Sequence, residues 1–249
     1  MKMKRKILVS DLDGTLIQRN EITSIDRDAI NKFVADGNIF VLATGRNYYD
    51  FMRAHRFFNI PYNYLILNGG SLILNENNKI YYSKSIDEML IVEHVIEALK
   101  IINAVSTLIY ISHEKTTINM AFPWKLSFYI NNINSICLDF RDDNLENVEK
   151  VYSLLAKNKN IDVIKNGMYI DVLPSNISKK IAINELLFKF GLSQENLATI
   201  GDDWNDISML MMTQNSYAII SDKIEVLNSA RNQVSNISEC IEHFMKVRL

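Results

Sequence analysis

The sequence predicts an α/β protein whose core is a parallel sheet with helices on both faces and whose middle holds an inserted α+β module. Continuous apolar, β-branched runs such as KILVS are typical of strands that are buried on both faces. These runs alternate with segments of helical periodicity, and such alternation favours a parallel sheet. In the middle of the chain, short strand candidates and two helices replace the alternation, which indicates an insert.

The amino-terminal part predicts three core strands, namely KILVS, IFVLAT and YLILNGG, with a helix after each of the first two. The segment TSIDRDAINKFVADG predicts the first helix, because Ile30 and Phe33 fall at helical spacing. Thr23 or Ser24 is placed to cap its start, and Gly37 lies where a helix stop belongs. The second helix is predicted at NYYDFMRAHRFF.

The insert is predicted at residues 82–166, and the core at residues 1–81 and 167–249. A hairpin at SLILNENNKIYYSKS leads toward the insert, which contains the helices IDEMLIVEHVIEALKIIN and NLENVEKVYSLLAKN. Strands are predicted at VSTLIYIS, TTINMA, SICLDF, IDVIK and MYIDVLP. From SKKIAINELLFKFGL onward, strands and helices alternate again through LATIGDD, ISMLMM, SYAII, IEVLNSARNQV and ISECIEHFMKV.

The overall composition argues against several classes of partner. The formal net charge is −2, which gives no electrostatic reason to expect nucleic acid or a membrane surface. No window approaches the roughly 18 apolar residues of a membrane span. Cys137 and Cys240 have no CxxC partner, so neither a disulfide framework nor a zinc site is indicated. We therefore expect a cytoplasmic protein. We also expect a monomer or a weak homo-oligomer.

Polar clusters follow several predicted strands, or open the helix just after one. In an open parallel sheet, ligands bind beyond the carboxyl ends of the strands, so these clusters are expected to meet in one crevice. They are Asp11-Leu12-Asp13-Gly14-Thr15, Thr44-Gly45-Arg46, Ser178-Lys179 and Gly201-Asp202-Asp203-Trp204-Asn205-Asp206.

The residue types in these clusters predict phosphoryl chemistry. Several carboxylates in one crevice repel each other unless a cation neutralises them, and oxygen ligands without His or Cys suit Mg²⁺. A lysine and a Thr-Gly pair suit a phosphate group. Together these groups stabilise an in-line phosphoryl transfer, in which positioning and charge neutralisation do most of the catalysis. The chain has no GxxxxGK[ST] sequence, so a nucleotide P-loop is not the phosphate cradle.

The motifs DLDGTL, ATGR, ISKK before an amphipathic helix, and GDDWNDISML occur in this order. They resemble the four motifs of the haloacid dehalogenase-like phosphatases. The insert between the second and third motifs resembles the Cof-type subgroup with a C2B cap, mainly by its position. The resemblance implies a Rossmann-like core, a cap domain and Mg²⁺ as cofactor.

The resemblance also implies roles for the acidic residues. Asp11 would be the nucleophile that forms an aspartyl-phosphate. Asp13 would be the general acid that protonates the leaving oxygen and then the base that activates water. Asp11, the backbone carbonyl of Asp13 and Asp202 would hold Mg²⁺. Asp206 would support the metal shell or orient Lys179.

The phosphate side of the site is implied in the same way. Thr44 and Lys179 would bind the phosphoryl oxygens, with Gly45 and Asn205 nearby. Arg46 is a further substrate-binding candidate, although an arginine at a helix start is also compatible with a solvated position. In the insert, Trp124, Lys125 and Arg141 are candidates for contacts to the leaving group, but packing or surface exposure is favoured for each.

Some positions depart from the family pattern. Lys180 stands where glycine is usual and is interpreted as a surface lysine. Asp203 replaces a commoner glycine or serine and is either a solvated loop acid or a support for the site. Ile219-Ile220-Ser221-Asp222 replaces a Gly-Asn-Ala stretch, so a loop on the phosphate side is expected to differ.

The sequence therefore predicts a Mg²⁺-dependent phosphatase that hydrolyses a small phosphorylated metabolite, with a sugar phosphate as one candidate, through an aspartyl-phosphate. A phosphomutase of the same superfamily is the first alternative, since it would return the phosphoryl group to a sugar instead of to water. The second alternative is a catalytically silent protein that binds a metabolite and regulates. The acidic residues and lysine of the motifs are intact, which argues against silence.

Overall fold

The computed structural model describes residues 5–86, 88–101, 108–121 and 132–247. The chain divides into two compact units. The first contains the residues up to Gly45, then Arg53–Tyr81, and the chain from Ser178 onward. The second contains Arg46–Met52 and Tyr82–Ile177.

The strands form two sheets, with orders β13-β12-β11-β1-β2-β3-β4-β5 and β7-β6-β8-β10-β9. Within the described residues they are β1 (Ile7–Ser10), β2 (Ile39–Ala43), β3 (Tyr64–Leu67), β4 (Leu72–Asn75), β5 (Ile80–Ser83), β6 (Leu108–His113), β7 (Thr116–Ala121), β8 (Ile133–Asp139), β9 (Ile161–Asn166), β10 (Tyr169–Pro174), β11 (Leu197–Gly201), β12 (Asn215–Ile219) and β13 (Asn232–Val234).

The helices follow the strands in the alternation that the sequence predicts. They are α1 (Ser24–Ala35), α2 (Tyr48–Phe58), α3 (Glu88–Ile101), α4 (Leu145–Leu155), α5 (Lys179–Phe190), α6 (Ile207–Leu210), α7 (Ile224–Ser229) and α8 (Ile237–Lys246).

The eight-stranded sheet carries the polar clusters at one edge. Its strands from β13 to β3 run parallel, and β4 returns antiparallel beside β3. Strands β1, β2 and β11 are buried at every position, as continuous apolar runs require in a sheet covered on both faces. Because β1 lies between β2 and β11, the residues after these three strands emerge side by side. The predicted α/β class is confirmed.

Local caps fix the helix starts near this sheet. The side chain of Thr23 accepts a hydrogen bond from the Asp26 N–H and caps α1, so Thr23 and not Ser24 has this role. Ser178 caps α5 by accepting from the Ile181 N–H at 3.3 Å. That helix ends at Gly191, whose φ of 61° is left-handed. The caps place Lys179 at the first position of α5.

The five-stranded sheet is antiparallel in every pairing. One face carries apolar side chains, and helices α3 and α4 add apolar residues to the same cluster. The cluster includes Val95, Leu99, Ile109, Ile111, Ile136, Leu138, Val148, Val151, Ile170 and Val172. Alternation along each strand sends polar residues such as Asp139 and Asp171 to the other side.

Strand β10 lies in this second sheet, where it pairs with β8 and β9. The predicted core contains residues 167–249. The apolar pattern of MYIDVLP cannot correct this placement, because it suits a strand of either sheet. The division of the chain into a catalytic domain and a cap at residues 82–166 stays a prediction. Trp124 and Lys125 lie outside the described residues. The Arg141 side chain is exposed and forms a bidentate ion pair with the buried Asp139.

Among the described residues, every helix is too short or too polar to span a bilayer. Short elements account for much of the carboxyl-terminal part of the chain. The segment ISMLMM forms the four-residue helix α6, with Met211 as its C-cap.

A glycine turn after β3 brings two parts of the first unit into close approach. Gly69 donates its N–H to the Thr44 carbonyl at 3.1 Å. Gly70 has a φ of 128°, and a Cβ at this position would overlap the carbonyl of Ser178, the cap of α5. The turn thus needs glycine both for its backbone angle and for space, and it lies directly against the start of the helix that carries Lys179.

We predict that Gly70→Ala lowers the free energy of unfolding by about 3 kcal/mol, because it adds a steric overlap to the backbone strain. Gly37→Ala is the matched control: Gly37 has a φ of 85°, and no heavy atom of the described chain lies within 4 Å of its added Cβ. The control is expected to cost only about 1–2 kcal/mol. Urea unfolding measures both, and equal losses would show that the approach of Ser178 imposes no constraint.

Candidate active site

Asp11 lies directly after β1 and is almost completely buried, with 5% of its surface exposed. Its N–H donates to the Ile200 carbonyl at 2.9 Å, which continues the pairing of β1 with β11. Because the two strands are parallel neighbours, Asp11 and Asp202 leave the sheet side by side. The predicted convergence of these two residues follows from strand order alone.

A buried lysine joins two carboxylates in this crevice. The Lys179 Nζ lies 2.5 Å from Asp11 Oδ1 and 2.6 Å from Asp206 Oδ1, and 2% of the lysine surface is exposed. Charge-assisted hydrogen bonds of this kind are short and strong. Lys179 therefore connects the start of α5 both to the end of β1 and to the loop after β11.

Asp206 organises that loop through its second carboxylate oxygen. Its Oδ2 accepts the N–H groups of Asp202 and Asp203, each at 3.0 Å. A Cβ at Gly201 would overlap the Asp206 side chain, so glycine is required at the end of β11. The short 3₁₀ turn Trp204–Asp206 follows from these contacts.

The Asp202 carboxylate is held against the DLDGT segment. Its Oδ1 accepts a hydrogen bond from Thr15 Oγ1 at 2.6 Å. Gly14 has a φ of 92°, and a Cβ there would overlap the same carboxylate. Glycine at this position thus permits both the turn after Asp13 and the approach of Asp202. Sequence reasoning missed the role of Thr15, although the residue lies within the quoted motif.

The site has the donor set and the charge for a hard divalent cation. Oxygen atoms of Asp11, Asp202 and Asp206 all lie within 4.8 Å of one another. Lys179 bonds two of these three carboxylates, so the four groups carry an excess of two negative charges when all three carboxyl groups are ionised. Oxygen donors and this excess fit Mg²⁺. The Asp206 carboxylate thus lies in the same oxygen cluster as the predicted ligands Asp11 and Asp202.

The pKa shifts show the electrostatic cost of this arrangement. Burial raises the pKa of the Asp11 carboxyl to about 8, with Lys179 opposing this rise and Asp206 and Asp202 adding to it. Burial likewise raises the pKa of Asp202. Burial disfavours the charge on Lys179, but Asp11 and Asp206 outweigh it and raise the lysine pKa. A bound cation would favour the ionised form of Asp11.

Asp13 and Asn205 are exposed to solvent at this edge of the sheet. Asp13 and Ile17 form an isolated β-bridge, and in the same turn the Gly14 N–H donates to the Ile17 carbonyl at 2.9 Å. Asn205 lies within the 3₁₀ turn. The roles of both residues stay predictions.

Thr44 and Gly45 follow β2, the other neighbour of β1. Thr44 is buried, and its N–H donates to the Ile66 carbonyl at 2.9 Å, whereas Gly45 is exposed. Arg46 belongs to the second compact unit, where its Nη1 donates to the Asp50 carbonyl at 3.3 Å. The phosphate-binding roles of all three stay predictions.

Lys223 is a neighbour of the site that sequence reasoning missed. Its Nζ lies 3.0 Å from Asp203 Oδ1 and 3.8 Å from Asp202 Oδ2. Lysine at a loop position gives no signal of such a contact, because its partners lie twenty residues earlier in the chain. Lys180 is exposed, as the sequence predicts, whereas its neighbour Lys179 is buried.

The profile of the haloacid dehalogenase-like hydrolase family matches residues 8–240, which is nearly the whole chain. The chain belongs to this family. The family assignment that the four ordered motifs predict is thereby confirmed, and the described site lies within the matched residues.

Relatives of this hydrolase align over most of its length. A protein from Mycoplasma capricolum is 27% identical and covers 94% of this chain and 98% of that protein. Phosphoglycolate phosphatase 1 of Saccharolobus solfataricus is 24% identical, covering 94% of this chain and 90% of the relative.

Solved structures share the fold at lower identity. A haloacid dehalogenase-like hydrolase from Bacteroides thetaiotaomicron is 20% identical with a TM-score of 0.81, covering 96% of this chain and 99% of that one. A sugar phosphatase of HAD subclass IIB is 19% identical with a TM-score of 0.73, covering 97% and 100%. At these identities the likeness establishes the fold alone.

We predict that Lys179→Met lowers the free energy of unfolding of the cation-free hydrolase by about 3–5 kcal/mol, because two buried carboxylates lose their shared partner. Lys180→Met is the matched control, since it removes the same charge from an exposed position one residue later, and its loss is expected to stay within about 0.5 kcal/mol. Urea unfolding in EDTA gives both values. Similar losses for the two variants would rule out a structural role for the buried ion pairs.

Proposed function

We propose that this hydrolase is a Mg²⁺-dependent phosphatase that acts on a small phosphorylated metabolite through an aspartyl-phosphate on Asp11. The observation that carries the proposal is the position of the Asp11 carboxylate, which is buried beside the Lys179 ammonium and within reach of the carboxylates of Asp202 and Asp206. Such a carboxylate is a recognised nucleophile toward phosphorus.

The donor set described above fits Mg²⁺. Asp11 and Asp202, with the backbone carbonyl of Asp13, are the proposed ligands, and Asp206 either joins them or holds Lys179 and the loop. When bound, the ion supplies positive charge that neutralises phosphoryl oxygens and keeps Asp11 ionised.

In the first half-reaction, a carboxylate oxygen of Asp11 forms a bond to phosphorus as the bond from phosphorus to the leaving oxygen breaks. Asp13 gives its proton to that oxygen, so the leaving group departs as an alcohol. Lys179 donates to the Asp11 carboxylate, and we propose that it also offsets charge on the phosphoryl oxygens. Thr44, Gly45, Arg46 and Asn205 are proposed to contact the phosphate or the substrate.

In the second half-reaction, the Asp13 carboxylate takes a proton from water while the water oxygen bonds to phosphorus. The bond between Asp11 and phosphorus then breaks, which releases inorganic phosphate and restores both carboxyl groups. The same fixed charges serve both steps, so one difficult hydrolysis is divided into two easier ones.

The family supports a hydrolase, and the name of the Saccharolobus relative supports a phosphatase with a small substrate. A sugar phosphate remains one candidate substrate. A cytoplasmic location and a monomeric or weakly associating chain likewise remain proposals. A screen for phosphate release over a panel of phosphorylated metabolites would identify the substrate class. A requirement for a bisphosphate activator would indicate the phosphomutase instead.

We predict that Asp11→Asn lowers the turnover of p-nitrophenyl phosphate at least about a thousandfold, because an amide oxygen does not act as the nucleophile. Phosphate release measures the effect, and circular dichroism checks that the fold is kept. Asp28→Asn, an exposed position on α1, is the matched control and should keep full activity. Turnover by Asp11→Asn at the rate of the control would contradict an aspartyl-phosphate.

Removal of divalent cations provides a separate prediction. EDTA is expected to abolish turnover, and an excess of Mg²⁺ is expected to restore it, because the carboxylates then bind the ion again. Phosphate release before and after the addition measures this. Full activity in EDTA would refute the metal assignment while leaving the nucleophile open to test by Asp11→Asn.

A further inference from the structure

Lys223 connects the loop after β12 to the loop after β11. It precedes helix α7, and its ammonium lies 3.0 Å from Asp203 Oδ1, 3.8 Å from Asp202 Oδ2 and 5.2 Å from the centre of the Trp204 ring. About a quarter of the lysine side chain (27%) is exposed, so its charge is only partly screened by water. A positive charge thus lies next to one of the carboxylates proposed to bind the cation.

The position of Asp202 has other supports. Thr15 bonds its Oδ1 at 2.6 Å, and Asp206 bonds its backbone N–H at 3.0 Å. Asp206 also accepts the N–H of Asp203, so one side chain fixes the backbone of both loop residues. Since the geometry is held without Lys223, the main contribution of Lys223 is its charge.

That charge opposes a cation at the same carboxylate. Like charges a few ångströms apart repel even in a water-like medium, and the repulsion is doubled for a divalent ion. Asp203 counteracts this repulsion in two ways. It adds a negative charge beside the site, and its closer contact draws the Lys223 ammonium toward itself and away from Asp202.

We propose that Lys223 and Asp203 form a charge pair that sets the cation affinity of the site. Lys223 weakens cation binding at Asp202, and Asp203 limits that weakening. The inference deepens the proposed function and rests on it, since it requires Asp202 to bind Mg²⁺.

Isothermal titration of the full chain with Mg²⁺, without substrate and at low ionic strength, tests the pair. Lys223→Met should tighten Mg²⁺ binding about three- to tenfold, because a nearby positive charge is removed. Asp203→Asn should weaken it by a similar factor, while its Oδ1 can still accept the Trp204 N–H at 2.8 Å. The double variant should bind close to the wild-type value, since its net charge is restored.

Lys246→Met is the matched control. It removes the same charge from an exposed ion pair, in which Lys246 Nζ lies 2.7 Å from Glu242 Oε1 on α8, and it should leave the affinity unchanged. Repeating the titrations at about 0.5 M salt should reduce the change in Mg²⁺ affinity of both loop variants, because salt screens the charges of partly exposed side chains.

Changes of opposite sign in Mg²⁺ affinity for Lys223→Met and Asp203→Asn support the charge pair. Weaker binding by Lys223→Met would overturn the inference and make Lys223 a residue that only positions the loop. An equal shift in Lys246→Met, or no shift in either loop variant, would also overturn it. If the wild-type chain binds no Mg²⁺, the proposed cation site is wrong. If the wild-type chain binds Mg²⁺ and both variants bind it with the same affinity, only the charge pair is wrong.

Discussion

The rest of the site depends on one ammonium group that is buried between two carboxylates. Lys179 bonds Asp11 on one side and Asp206 on the other, at 2.5 and 2.6 Å. A buried charge without a partner is very unfavourable, so each of these groups requires the others to be in place. Because they come from α5, from the end of β1 and from the loop after β11, this requirement fixes three parts of the core relative to one another.

Close backbone approach makes that arrangement possible. Side chains at 14, 70 or 201 would overlap Asp202, Ser178 or Asp206 respectively. Gly14 therefore lets the DLDGT turn approach the acidic loop, Gly201 makes room for Asp206 within that loop, and Gly70 lets the turn after β3 approach the start of α5. The chain is poor in glycine, with 8 in 249 residues, yet two of them lie against site carboxylates and a third lies against the cap of the helix that carries Lys179.

The sequence predicts those parts of the structure that local pattern and strand order determine. Asp11 and Asp202 follow apolar runs, so their meeting at one sheet edge follows once the strands are parallel neighbours. The membership of β10 was beyond prediction, because an apolar strand pattern does not specify its pairing partner. The contact of Lys223 with Asp203 was also beyond prediction, since two loops determine it and neither loop has a regular pattern.

The balance of charge indicates why the fold retains a site that lowers the stability of the protein when no cation is bound. Three carboxylates face one buried ammonium, and burial, with a smaller contribution from neighbouring carboxylates, raises the pKa values of Asp11 and Asp202. An arrangement selected only for stability would pair or remove these acids, because replacing buried charges by apolar groups is often neutral or stabilising. The excess of negative charge is useful only if positive charge arrives with a ligand. The same imbalance that disfavours the cation-free site would favour a bound cation, and it lies beside Asp11, the proposed nucleophile.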